Sequence, residues 1–418
     1  MVPQTRIGLA QLTSMAFNGA DLGPLRSDLA AHCLHGADSA GALMDLSVVE
    51  QLHGNRETGL HWQSKAFETC RMFRTWQRQE RRKKLLVFAA PIHMGGNTPV
   101  EFLMRDSEFE VITYYPNFDQ PSQARRPLPD HDIAFCAAPA DAEGIKAFFD
   151  NVRHLTDGTG QPVLNSPEDF IQLDRDMLDH RFRGQDGLRF PKTMRVSRHT
   201  LLEAEDICRS NLGDYPHVIR PVGSHAGMGL RRIASKDDLM AYLAERDEPD
   251  YYLCEFINYA SPADGQFRKY RVVFVDSRPF PVHMAVSDQW DVWYMNAKMA
   301  DCATKRGEEA AFMASFDHDF ARRHQKGFEA LTEGIGLDYF GVDCAEDAEG
   351  NLVVFEADNA LIVHDMDCEV TFPYKAPHMR SIFAAFEEML LSKCHSDGAP
   401  NTMPDRATEM GRVQAALV

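Results

Sequence analysis

"HVIRPVGSHAGMGLRR", residues 217–232, carries three glycines spaced GxxxGxG between an Arg-Pro pair and a basic pair. The dinucleotide fingerprint needs GxGxxG opening a helix, and the Walker A loop needs GxxxxG followed by Lys and Ser or Thr; neither is present. Strand-like runs stand on both sides, "HVIRPV" before and "LRRIAS" after. The loop is therefore expected to join two strands as a flap. Glycine has no Cβ to hold a ligand off, so the backbone N–H groups of such a flap can close over phosphates. Gly223, Ser224, His225, Gly227 and Gly229 are the candidates within it. Arg220 ends the incoming strand, where a guanidinium suits the same phosphates. A plain structural hairpin loop is the competing reading.

The second signal is acidic: "GVDCAEDAEGNLVVFEADNALIVHDMD", residues 341–367. It reads as a hairpin with its turn at residues 347–351. Residues two apart on a strand share a face, so Glu356 and Asp358 project together, with Asp343 opposite them on the partner strand. Three carboxylates on one face suit Mg²⁺, which keeps water and substrate phosphates in its other positions. An exposed acidic face is the alternative, but Val353, Val354 and Phe355 surround Glu356 with apolar chain.

The flap after "VIRP", then "YYLCEF", then "GVD" and "VVFEAD" follow in an order that resembles the ATP-grasp ligases, in particular those similar to glutathione synthase and RimK. The resemblance covers about residues 85–395. It implies an α/β (α+β) chain: an ATP-grasp fold of two β-rich lobes preceded by a small parallel α/β domain; the residues before these read, by their own pattern, as an N-terminal helical hairpin. It implies ATP held by Arg175 and Arg220, and an adenine hinge over Cys254, Glu255, Phe256 and Ile257. It implies Mg²⁺ (or Mn²⁺) on Asp343, Glu356 and Asp358, with Asn359 as the second choice for the third ligand. Two positions where that family usually has Lys are Arg here, and the usual turn after the metal strand is replaced by "ALIVHDMD", which brings His364, Asp365 and Asp367 near the site. The implied reaction joins a carboxylate, of a small molecule or a peptide, to an amine through an acyl phosphate. Arg271 and Lys269, which share a strand face, are the candidates to meet the phosphorylated acid. His283, Asn296 and Lys298 follow in the region that lines the cleft in that family.

The rest of the chain reads as organisation. Residues 1–84 read as a helical extension: "SAGALMDLSVVEQLHG" puts Leu43, Leu46 and Val49 near helical spacing, and "GNRETG" breaks it before a second helix. A packed extension and a peptide-docking module, a single tetratricopeptide-like hairpin, both fit. "RQERRKK", residues 78–84, reads as a solvated helix end. "LLVFAAP", "EVITYYP", "DIAFCAAP" and "PVLNSP" read as strands of a parallel domain over 85–170. His93, Gly95, Gly96 and Asn97 follow its first strand, where open α/β sheets bind ligands, although a plain turn serves as well. The small lobe is expected over 171–260, the large lobe over 261–395 and a loose tail over 396–418.

Composition excludes several classes. Lys and Arg number 44 against 62 Asp and Glu, 44 − 62 = −18, which argues against nucleic acid as the main partner. No run of 18 apolar residues suggests a membrane span, and no signal peptide is read at the start. Nine cysteines with no CxxC fit reduced thiols in a cytoplasm and disfavour structural zinc. A homodimer is the default oligomer. Two further functions stay open: a phosphotransferase built on the same lobes, and a non-catalytic, nucleotide-dependent peptide binder.

Overall fold

The structure is a computed structural model that describes residues 2–35, 39–75, 83–117, 127–140, 144–166, 173–224 and 227–394. It is an α/β chain with three separate sheets.

The first sheet has the order β1-β2-β4-β3-β5-β6: β1 (Gln4–Arg6), β2 (Met72–Thr75), β3 (Lys83–Phe88), β4 (Phe109–Tyr114), β5 (Ile133–Cys136) and β6 (Val163–Leu164). Strands β3 to β6 pair in parallel, as their apolar runs predict. Both faces are buried, which is why "LLVF" shows no alternation. Leu85 and Val87 face the large lobe, while Leu86 and Phe88 pack with Phe148 and Val152.

The helices here are α1 (Leu9–Phe17), α2 (Gly23–His35), α3 (Ala40–Leu52), α4 (Arg56–Phe67), α5 (Val100–Leu103) and α6 (Ile145–Thr156). The α3–α4 hairpin matches the sequence reading, but residues 1–84 are not wholly helical. β1 and β2 extend the sheet, β2 running antiparallel to β4. Lys83 and Lys84 open β3 rather than ending a helix, with their ammonium groups on Asp132 and Asp130. Residues 78–82 and the tail expected over 396–418 lie outside the described residues.

The second sheet, β10-β9-β11-β8, is antiparallel throughout: β7 (Leu188–Arg189) precedes it in the chain, followed by β8 (Thr193–Ser197), β9 (His217–Pro221), β10 (Arg231–Ile233) and β11 (Asp250–Glu255). β9 and β10 flank the glycine loop, so that loop does join two antiparallel strands. Period-two alternation divides its faces. Val196, Ile219, Tyr251 and Leu253 enter a core, to which α8 (Arg198–Glu203), α9 (Glu205–Leu212) and α10 (Lys236–Ala244) contribute Leu201, Cys208 and Leu243. α7 (Arg175–Phe182) leads into this lobe. The opposite face presents Arg195, Tyr252 and Arg220 in one register row.

The third sheet, β13-β12-β14-β15-β7, contains β12 (Phe267–Val275), β13 (Arg278–Ser287), β14 (Tyr339–Glu346) and β15 (Leu352–Asp358). The β12–β13 turn is Asp276-Ser277, both at positive φ, and Arg278 already belongs to β13. Its core side packs on α11 (Ala303–Ser315), α12 (Phe320–Arg323), α13 (Gln325–Ile335) and α14 (Lys375–Lys393). Phe135 of the first sheet meets Phe386 of α14 at 5.4 Å, so one apolar core joins these two sheets.

Candidate active site

The cleft-facing side of the third sheet carries a row of directly paired residues: His283 opposite Arg271, Arg271 opposite Asp343, and Asp343 opposite Glu356. Direct partners in antiparallel strands share a face. Two register shifts accompany the row. Arg271 pairs with His283 while Val272 pairs with Pro281, and Asp343 pairs with Glu356 while Cys344 pairs with Val354. The extra residues, Val282 and Phe355, are bulges of the kind that re-aim side chains beside functional sites. Asp358, opposite Gly341, stands one row further along the same face.

The charges of this row are satisfied within the chain. Arg271 donates Nε and Nη2 to Asp343 at 2.8 and 3.1 Å, and the Lys269 ammonium reaches the same carboxylate at 2.8 Å. Burial alone would push the Asp343 carboxyl up; Arg271 and Lys269 overcome it and hold that group well below the usual carboxylate range. Arg175, the first residue of α7, donates to Glu356 at 2.5 Å and keeps it low against the same burial. Among the described residues no three His, Cys, Asp or Glu side chains stand around one point. Asp343, Glu356 and Asp358 share a face as expected, but they do not form a ready-made metal cage, because Lys269, Arg271 and Arg175 hold two of them.

Across the cleft stands Arg220. Its guanidinium donates to the Ser224 hydroxyl at 3.1 Å and to the Ser224 carbonyl, and it has no carboxylate partner among the described residues. Burial and the neighbouring Arg175 push its pKa down to about 10. A half-buried cation beside a second cation is a place that favours an anion. Between the two sheets lies a cleft of about 290 Å³, open to solvent and lined by Arg175, Arg195, Gly223, Tyr252, Glu356 and Asp358 among others.

The loop glycines serve different ends. Gly223, φ +73°, borders the cleft; it and Gly227, φ +72°, both have open space where a Cβ would stand. Gly229 is packed instead: a Cβ there would come 2.7 Å from Pro221, and its carbonyl accepts from Tyr242. It closes the hairpin rather than facing a ligand. Ser224 is buried and ties Arg220 to the Pro221 carbonyl. His225 lies outside the described residues.

Among the residues expected to form the hinge, the Glu255 carboxylate accepts from the Lys192 amide at 3.1 Å, Phe256 lies under Arg232 at 4.2 Å, and Ile257 is buried. Cys254 is held in β11 between Thr193 and Val218. Two expected residues do not join the row. Asn296 is exposed and staples its own loop, accepting from the Trp293 amide and donating to the Asp291 carbonyl. Lys298 is exposed at φ +53° and takes part in none of the ion pairs described above.

Asn359, the alternative third ligand, points away from the cleft. It is fully buried and its side-chain amide donates to the Ala138 carbonyl at 2.8 Å, while its backbone carbonyl accepts from the Thr98 hydroxyl. Asp365 pairs with Arg105 at 2.7 Å, and Asp367 pairs with Lys375 at 3.2 Å. His364 lies near the rings of Phe17 and Phe102. The loop at 360–374 is thereby tied to the first sheet's helices. In the 92–98 loop, Asn97 bonds both polar groups of Ala90, a structural role, and Gly95 lies against Ile362.

Three groups on this face escape motif reading. Arg195 and Tyr252 complete the Arg220 row, and alternation in "TMRVS" and "YYLCE" was the available signal. Lys375 is buried on α14 against Glu309, Asp367 and the ring of Tyr294 at 4.1 Å. No helix among the described residues is long and apolar enough to cross a membrane.

No family model and no curated protein matches the sequence. The chain is similar in structure to ATP-grasp ligases. One is a RimK-domain ATP-grasp protein from Sphaerobacter thermophilus, 16% identical, covering 74% of this chain and 99% of that one, TM-score 0.42. Another is the VanG D-Ala:D-Ser ligase from Enterococcus faecalis, 16% identical, covering 75% and 100%, TM-score 0.45. A third is the ATP-grasp ligase PsnB complexed with a precursor peptide and AMPPNP, 14% identical, covering 74% and 100%, TM-score 0.41.

Proposed function

We propose that this chain is an ATP-dependent carboxylate–amine ligase of the ATP-grasp type, forming an amide through an acyl phosphate and releasing ADP and phosphate. The observation that carries the reading is the arrangement of charge about one cleft. Arg220 and Arg175 face the row of Arg271, Asp343 and Glu356 beneath a glycine loop. Arg175, Arg220, Lys269 and Arg271 supply four positive charges against the three of Asp343, Glu356 and Asp358. That excess suits a polyanion, and a triphosphate is the one the loop geometry favours.

In this reading the adenine meets the hinge at residues 254–257, and the phosphates lie between the flap and the row. Arg220 and Arg175 bind the phosphate oxygens. The oxygen donors of Asp343, Glu356 and Asp358 fit Mg²⁺ or Mn²⁺, which when bound neutralises charge developing on the transferring phosphoryl group. Arg271 and Lys269, released from Asp343 as the phosphates arrive, orient the substrate carboxylate and then hold its phosphorylated form. The protein supplies position and electrostatics more than covalent chemistry. Closure of the flap keeps water from the acyl phosphate.

The test is to incubate the protein with Mg·ATP, pooled carboxylic acids and hydroxylamine. Hydroxamate and ADP are the expected products, and AMP in place of ADP sinks the mechanism. Asp343→Asn and Glu356→Gln should each remove phosphate release, by a factor of at least about 100.

A further inference from the structure

We propose that His283 is the proton acceptor for the incoming amine, an assignment that rests on the ligase reading above. Its warrant is position. Strands lie about 4.8 Å apart, so the four-residue row extends roughly 14 Å from Glu356 to His283. The nucleotide side is at Glu356, where Arg175 and Arg220 converge. Arg271 comes next but one, at the place of the phosphorylated acid, and His283 is its direct cross-strand neighbour on the far side. A nucleophile attacking the acyl carbon from the side away from the phosphates meets this imidazole.

The ring is held in place but not consumed. It packs at 4.8 Å from the ring of Tyr294, whose hydroxyl donates to Glu309 and accepts from Lys375. Among the described residues the buried Nδ1 of His283 has no hydrogen-bond partner. The charged groups about it are Arg271 and Lys269 on β12, Asp343 on β14, Lys375 on α14 and Glu309 on α11. Burial, then Arg271 and Lys375, keep the imidazole neutral, its pKa well below the ordinary histidine value. Phosphorylation of the acid changes that balance. The acyl phosphate places negative charge on Arg271 and Lys269, and imidazolium becomes affordable only then. The base is thereby armed by the first half-reaction.

The step balances as follows. The ammonium gives one proton to the imidazole, and the freed lone pair attacks the acyl carbon. The C–N bond forms as the C–O bond to phosphate breaks. The leaving phosphate takes the second N–H proton as hydrogen phosphate, and the imidazolium returns its proton to solvent.

Hydroxylamine is neutral at pH 7 and needs no such acceptor, whereas ammonium of nearly the same size does. The experiment compares the two nucleophiles at equal concentration, with Mg·ATP and the acid pool, in wild type and His283→Gln. The expected result is a loss of at least about 100-fold in amide from ammonium in the variant. Its hydroxamate formation, which also reports that the variant is folded, should stay within about threefold. Equal loss of both products, loss of neither, or a wild type that uses ammonium no better than the variant overturns the assignment. A wild type that makes no hydroxamate overturns the ligase reading itself.

Discussion

In the proposed reading Arg220 serves a ligand more than the fold. Its guanidinium is half-buried, lies near Arg175 and has no carboxylate of its own among the described residues. Arg220→Met keeps the stem and removes the charge. The variant should hold its thermal midpoint within about 2 °C of wild type or rise above it. ATP affinity, read by calorimetry, should fall at least about tenfold, the worth of one charge-assisted hydrogen bond. A large loss of stability with unchanged ATP affinity would make Arg220 a structural residue. The same charge balance sets an order of binding. With Lys269 and Arg271 on Asp343 and Arg175 on Glu356, a divalent cation meets occupied carboxylates. Mn²⁺ alone should show no specific binding by electron paramagnetic resonance, and should bind once AMPPNP is present. Asp45 titrates with the opposite sign to these carboxylates. Burial pushes it up to about 6 despite the amides of Ile7 and Gly8 that donate to it. Its folded pKa lies above the unfolded one, so between pH 6 and pH 4 the folded chain holds the proton that the unfolded chain has lost. Over that window acidification stabilises wild type relative to Asp45→Asn, by up to roughly 1.4 kcal/mol per pH unit. Urea titrations across the window measure it.

At the scale of elements, the decisive ones were legible where local pattern and tertiary role agree. The glycine loop between two strands, the acidic hairpin and the four parallel strands all follow from period and punctuation. The helix α14 went unread, although Met379, Ile382, Phe386, Met389 and Leu390 recur at helical spacing and are buried. Strands β1 and β2 were not. Three and four residues carry no periodicity of their own, and both form only because the sheet edge is there to pair with. Asn296 and Lys298 stand apart from the row because a turn after β13 takes them out of strand alternation. Single side chains join elements that no motif links. Asn165, at φ +45°, exchanges hydrogen bonds with both backbone groups of Tyr339, fastening the end of β6 to the start of β14. Asn165→Ala strands a buried donor and a buried acceptor and should cost about 2–4 kcal/mol in denaturant unfolding. A loss below about 0.5 kcal/mol would mean that this side chain does not fasten the two sheets.

At the scale of the whole molecule, the proposed chemistry lies on one line across a sheet, and the sequence hides that line. His283, Arg271, Asp343 and Glu356 belong to four different strands and follow no common spacing. Motif reading found the members in pairs; only the register shows that they are neighbours. Their partners in the cleft come from β9 and α7, which the fold brings opposite the row through a lobe of its own. This arrangement bears on how the chain can change in length. The turns at 276–277 and 347–351 lie outside the row, so residues can be added there without moving any of the four. A single deletion between Arg271 and the 276–277 turn, or between that turn and His283, is another matter. It turns one strand's contribution to the opposite face while leaving every residue type intact. The composition would survive such an edit, and the row would not.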